Sequence, residues 1–186
     1  MGFGRRELHA TPQEVEDLVL YQVAALAGMA ASEGMTLAHV KAHGALYNMA
    51  CRDHALAAAI ARAVAAFDRS FVLFGLPGSA LLEEGTRAGL TVAAEAFADR
   101  AYNADGSLTS RRIAGSVLTD ADLVVTRALR MIADGEVIAI DGSVVRLRAD
   151  TLCVHGDTPG APDLLRHLRA AFDKANVRLA PPGSVL

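Results

Sequence analysis

Four stretches hold most of the side chains able to do chemistry. "HVKAHGALYN" sets Lys41, His43, Tyr47 and Asn48 close together. "EAFADRAYN" supplies Glu95, Asp99, Arg100, Tyr102 and Asn103, and "CVHGDTPGA" supplies His155, Asp157 and Thr158. "FVLFGLPGS" ends on Gly78 and Ser79. Cations such as Lys41 and Arg100 suit an anion, a histidine can carry a proton, and carboxylates can orient a base or hold a metal. Together these types fit hydrolysis or group transfer. A zinc site from His43, His155 and a carboxylate is chemically possible but weakly specified. No HExxH, nucleophile elbow, Walker loop or GxGxxG fingerprint occurs.

Each residue also has a plainer reading. Lys41 can snorkel from a strand end. Asp157-Thr158-Pro159 reads first as a helix cap, with an anion-binding helix start behind it. Asp99 and Arg100 can form a structural ion pair. Cys153 lies in an apolar strand and reads as core. Cys51 has no base at a fixed spacing, although His54 follows closely, so it is not expected to act as a nucleophile.

The elements that position these groups alternate. Thr11, Pro12 and Glu14 form a capping box with a proline start, and a helix with Val15, Leu18, Val19, Leu26 and Met29 on one face runs to Gly34. A strand at 37–41 follows, then an Ala-rich helix at 51–67 with Leu56, Ile60, Val64 and Phe67 in register. "FVLFG" at 71–75 reads as a strand buried on both faces. Next come a helix at 79–88, a strand at 90–95 and a polar, irregular stretch at 96–115. A helix at 120–133 has Leu123, Val124, Leu129 and Ile132 as its face. "EVIAIDGSVVRLRAD" reads as a hairpin turning at Asp141-Gly142. A buried strand at 151–156 precedes a helix at 159–174 with Leu164, Leu165, Leu168, Ala171 and Phe172 on one face. The tail at 176–186 is expected to be irregular.

Strands alternating with helices predict an α/β fold with a parallel sheet and an added hairpin. Ligands in such folds sit at the carboxyl ends of strands, which is where the polar clusters fall. The first helix has no strand before it, so the expectation is a chain that begins inside a larger α/β fold. The 186 residues read as one domain. Hydrophobic residues make up 52% and charged residues 21%, the profile of a globular protein. A net charge of −3 and few aromatics argue against nucleic-acid binding. No apolar run of about 18 residues is evident, so no membrane span is expected. The two isolated cysteines and the lack of a secretory signal point to the cytoplasm.

"HVKAHGALYN", "EAFADRAYNADGSLTSR" and "CVHGDTPGA" resemble three ordered signature blocks of the LamB/YcsF family, to which the A component of bacterial 5-oxoprolinase belongs. "GFGRRELHATPQEVEDLVLYQ" also looks like an internal segment of that family, and the resemblance runs to about Phe172. Family members usually carry "VKPHGALYN", and here Ala42 replaces the proline, which loses rigidity but no functional group. Further family blocks resembling "DLNCDLGE", "CGFHAGD" and "AHPGYPD" are not found. The resemblance therefore implies the carboxyl-terminal part of a distorted (β/α) barrel, similar to the glycoside hydrolase/deacetylase barrel, with a β-hairpin insertion.

It also implies an ATP-dependent cyclic amide hydrolase. With partner subunits B and C, such a protein opens 5-oxo-L-proline to L-glutamate, ATP being the co-substrate and a metal ion possible. Lys41, His43, His155 and Asp157 are the candidate catalytic residues. Glu95, Asp99, Arg100, Tyr47, Asn48, Tyr102 and Thr158 are candidates for binding substrate or phosphate, and either histidine can be the base. Two other readings are a metal-dependent amide hydrolase like the deacetylases and a truncated, non-catalytic remnant.

Overall fold

The computed structural model describes residues 4–157 and 160–181. They fall into two compact units, Met1–Ala94 with Pro181–Leu186, and Glu95–Ala180.

The first unit opens with helix α1, Pro12–Ser32. Its start is the expected capping box: the Glu14 amide donates to Thr11 Oγ1 and the Thr11 amide donates to Glu14 Oε2 at 2.8 Å. Gly34, at φ +69°, takes the left-handed turn that follows the helix. The face of α1 differs from expectation. Val15, Val19, Val23 and Ala30 are buried, whereas Leu18, Leu26 and Met29 are 54%, 56% and 70% exposed. The cause lies in the partner. Helix α1 packs on an Ala-rich helix, and small or β-branched side chains let two such surfaces approach closely. By length and composition α1 is also long and apolar enough to cross a membrane, although polar residues interrupt its apolar run. Here its buried face packs on protein and Glu16 pairs with Arg62 at 2.6 Å.

Strand β1, His39–Lys41, is followed by a short helix not foreseen in the sequence, α2, Ala45–Ala50. Helix α3, His54–Phe67, is the helical partner of α1 and begins separately, with the Asp53 carboxylate accepting from the amides of Ala55 and Leu56. The expected helix at 51–67 is thus trimmed at its start by an Asp cap, and Phe67 is partly exposed at its end. Strand β2, Val72–Gly75, is buried along its whole length, as its unbroken apolar run predicts. Helix α4 is Ala80–Arg87, and strand β3 is Thr91–Phe97. The strands β1, β2 and β3 are parallel, with His39 beside Val72 and Val72 beside Thr91. Helix α4 lies close against this sheet: a Cβ on Gly85 would sit 2.8 Å from Val92 and 3.0 Å from Leu73, so the packing needs glycine there.

In the second unit, helix α5, Ala121–Ala133, starts where Asp120 accepts from the Leu123 amide. Strands β4, Glu136–Ile138, and β5, Val144–Arg146, pair antiparallel around the Asp141-Gly142 turn. Strand β6, Thr151–Cys153, runs parallel to the last residues of β3, with Phe97 beside Cys153. Helix α6 is Ala161–Lys174. The core of this unit is Ala98, Val124, Ala128, Leu164, Leu168 and Phe172. Leu123, Ile132 and Leu165, placed on buried faces by periodicity, are instead largely exposed. Strand β6 is half-buried rather than fully buried, and Cys153 is correspondingly intermediate. The stretch after β3 is more ordered than its polarity predicts. Arg100 bridges Val117, Tyr102 bridges Leu108, and Thr109 and Ser116 are buried.

Asp157 does not cap α6. The helix begins after Gly160, which takes φ +81°, and Pro162 occupies its first turn. Thr158 and Pro159 lie outside the described residues, as do the last residues of the tail.

Candidate functional site

In the first unit the candidate groups follow β1. His39 stacks on Phe74 with ring centroids 4.4 Å apart, and burial followed by the Lys41 charge lowers its pKa. Lys41, exposed at the strand end, holds its ammonium 5.8 Å from the ring centroid of Tyr47, which is buried. His43 is exposed and lies against the Gly4 backbone. Gly44, at φ +64°, could carry no side chain, because its Cβ would fall 2.4 Å from the Gly4 carbonyl oxygen. That turn launches α2, and Asn48 Nδ2 donates back to the Gly44 carbonyl at 3.0 Å. The block therefore divides by role: Gly44, Tyr47 and Asn48 build the turn, while Lys41 and His43 stand at its surface.

This unit also contains a polar cluster that sequence spacing does not reveal. His54 Nδ1 lies 2.8 Å from Glu84 Oε1, and Arg87 pairs with the same carboxylate. The hydrogen bond from Arg87 and then that with His54 hold the Glu84 carboxyl below its ordinary pKa. The histidine that follows Cys51 in the sequence thus has its Nδ1 engaged by a carboxylate on α4. Ser79 precedes α4 without capping it, and its buried Oγ has no hydrogen-bond partner among the described residues.

In the second unit, one pairing dominates. Asp99 is 0% exposed, and both of its carboxylate oxygens face His155. His155 Nδ1 is 3.0 Å from Asp99 Oδ1 and 2.9 Å from Oδ2, while the His155 backbone amide donates to Oδ2 at 3.0 Å. Burial pushes the Asp99 pKa up, but the hydrogen bonds and charge of His155 outweigh it and leave the carboxyl below its ordinary value. The His155 ring is mostly covered and stacks near Phe97, with centroids 5.6 Å apart.

The expected ion pair between Asp99 and Arg100 does not form, because the two side chains serve different partners. Arg100 is buried and donates to the carbonyls of Ser116 and Thr109, at 3.2 and 2.5 Å, tying down the long loop. The buried Tyr102 hydroxyl accepts from the Phe97 amide at 2.8 Å, and burial drives the phenol pKa well up. Asn103 bonds Ser107 and Thr109. Glu95 is buried at the same strand end, and Asp157 is exposed beyond β6. Thr158 lies outside the described residues.

Among the described residues no group of three or more His, Cys, Asp or Glu is arranged to hold a metal ion. A cavity of about 410 Å³ opens between α5 and the β4–β5 pair. Its walls include Leu118, Leu123, Arg127 and Ile140, and none of the candidate residues lines it. Chemically, the second unit offers an imidazole held by a buried carboxylate, the arrangement used for proton transfer. The first unit offers an exposed cation and a second imidazole.

A family model described as the LamB/YcsF family matches residues 1–186. The A component of the 5-oxoprolinase of Chloroflexus aggregans is 52% identical over 181 residues, which cover 97% of this chain and 72% of that protein. The corresponding 5-oxoprolinase component of Bordetella pertussis is also 52% identical, over 96% of this chain and 71% of its own length. The crystal structure of a lactam utilization protein from Thermus thermophilus superposes with a TM-score of 0.87 at 49% identity, covering 95% of this chain and 70% of that one.

Proposed function

This chain belongs to the LamB/YcsF family, and from that premise we propose that it acts as the A component of a 5-oxoprolinase. The reaction is the hydrolytic opening of 5-oxo-L-proline to L-glutamate. The observation that carries this reading is the buried Asp99 carboxylate bonded to His155 at the end of β3, in a chain about half identical to proteins bearing that name.

The chemistry asks for such residues. A lactam amide is a poor electrophile, and phosphorylating its oxygen at the expense of ATP would make the ring carbon open to water. A base must then take the proton of that water, and cations must hold carboxylate or phosphate. His155 or His43 is the base in this reading and Lys41 is the anion-binding cation, whereas Arg100, first expected in that role, is buried and holds the loop through the Ser116 and Thr109 carbonyls. Asp99 orients His155, Glu95 and Asp157 add carboxylates in the same unit, Tyr47 and Asn48 hold the turn that carries Lys41 and His43, and Tyr102 braces the end of β3. ATP is the co-substrate of a complex with subunits B and C, in the cytoplasm. The parallel strands belong, in the same reading, to one LamB/YcsF domain built as a distorted (β/α) barrel of the deacetylase kind, with β4–β5 as an insertion.

The test is glutamate release from 5-oxoproline and ATP, measured with this chain alone and with subunits B and C added. The expected result is turnover only in the complete mixture. Absence of turnover in every combination, with subunits B and C shown to be competent beside the A component of a relative, overturns the proposal.

A further inference from the structure

We infer that Asp99 is a positioning residue that fixes the tautomer of His155, making Nε2 of that histidine the proton acceptor of the reaction. The inference rests on the hydrolase reading above and selects between its two histidines.

The register of the sheet creates the pair. Phe97 on β3 stands beside Cys153 on β6, so two residues further along each chain Asp99 meets His155. The Asp99 carboxyl is held below its ordinary pKa, so at neutral pH it is an anion and can only accept. Both oxygens face the Nδ1 edge of the ring, and one also receives the His155 backbone amide. A donor is therefore required at Nδ1. Neutral imidazole carries a single N–H, so Nε2 keeps its lone pair. The amide bond fixes the backbone, the carboxylate fixes one ring edge, and the stack on Phe97 limits rotation. The His43 ring, by contrast, stands exposed at the surface of its turn.

The step balances on the lactam whose oxygen ATP has phosphorylated, as in the reading above. Nε2 takes a proton from water as the water oxygen bonds to the ring carbon, and the imidazolium returns that proton to the ring nitrogen. The C–N bond then breaks with its electron pair on nitrogen, leaving an acyl phosphate that a second water cleaves to L-glutamate and phosphate. Asp99 touches none of the reacting atoms. Its effect is to keep the unprotonated nitrogen on the reacting side.

The tautomer can be read directly from two-bond ¹H–¹⁵N correlations of the ¹⁵N-histidine-labelled full chain at pH 8, the His155 signals being identified by their loss in His155→Gln. The expected pattern is Nδ1–H with an unprotonated Nε2 in the wild type. Asp99→Asn, which sets an amide N–H2 against one of the two donors, should shift the population toward Nε2–H. In the complete complex with subunits B and C, His155→Gln and Asp99→Asn should each lower kcat by about 10²-fold or more, as loss of a tautomer-fixing carboxylate does elsewhere. Asp99→Asn should move KM by less than about 2-fold, the mark of an interaction made only in the transition state. A wild-type chain holding His155 as the Nε2–H tautomer overturns the inference, even if Asp99→Asn fails to fold. So does an active complex that tolerates His155→Gln. If the wild-type complex is inactive, the function reading falls, and the NMR result still decides the role of Asp99.

Discussion

At the scale of single residues, Asp99 is where burial and function meet, and it gives a pH dependence whose sign can be worked out. The carboxyl is held below its ordinary pKa in the fold and returns to about 3.8 when the chain unfolds. Its contribution is therefore complete above that unfolded value and is lost as pH falls through the lower folded one. Replacing Asp99 by Asn should cost about 2 kcal/mol at pH 7, the scale of a hydrogen bond to a buried charge. The cost should shrink as pH drops from about 5 toward 2. Urea unfolding midpoints of both proteins across that range measure it, and parallel curves would mean that the charge of Asp99 contributes nothing. The residue types of this pair stood out in the sequence. Their partnership did not, because 56 positions separate them and only the β3–β6 register brings them together. The same blindness explains Arg100. A guanidinium beside a carboxylate in sequence reads as an ion pair, yet the fold turns it toward carbonyls 16 and 9 residues away.

At the scale of elements, local chemistry was legible and helix rotation was less so. The capping box at Thr11, the apolar run of β2 and the Asp141-Gly142 turn are decided by neighbours along the chain, and each occurs where its signal lies. Which side of a helix is buried depends on what it packs against. Helix α6 shows the difference within four residues: Leu165 is 52% exposed while Leu168 belongs to the core with Val124 and Phe172. Leu168→Ala should therefore destabilise by about 2–5 kcal/mol, through lost burial and the cavity left behind. Leu165→Ala should stay within about 0.5 kcal/mol of the wild type. Chemical denaturation of the two variants side by side separates them, and similar losses would mean that α6 is rotated from the position described. Helix α2 was missed for a related reason. Six residues give periodicity too little to work on, and the helix exists because Gly44 can take a backbone conformation closed to other residues.

At the scale of the whole molecule, the alternation of strands and helices was enough to identify an α/β chain with a parallel sheet and a hairpin, because that pattern is a property of the sequence as a whole. Surface character was not, since it depends on which apolar residues the packing leaves outside. Helix α1 buries Val15, Val19 and Val23 and leaves Leu18, Tyr21 and Met29 in solvent, two of them more than two-thirds exposed. Leu18 and Met29 are eleven residues apart, about three helical turns, so they share one side of the helix, and Tyr21 lies close to it. A net charge of −3 provides little long-range repulsion to keep such surfaces apart. The chain should therefore self-associate as its concentration rises, and ammonium sulfate, which strengthens apolar contact, should promote this. Replacing Leu18, Tyr21 and Met29 together by Gln should suppress association while moving the unfolding midpoint little, because all three are exposed and the buried face of α1 is made by Val15, Val19, Val23 and Ala30. Sedimentation velocity over a concentration series reads the first effect and urea unfolding the second. Unchanged association in the triple variant would place the contact elsewhere, and a large loss of stability would mean that these side chains pack against the protein rather than facing solvent.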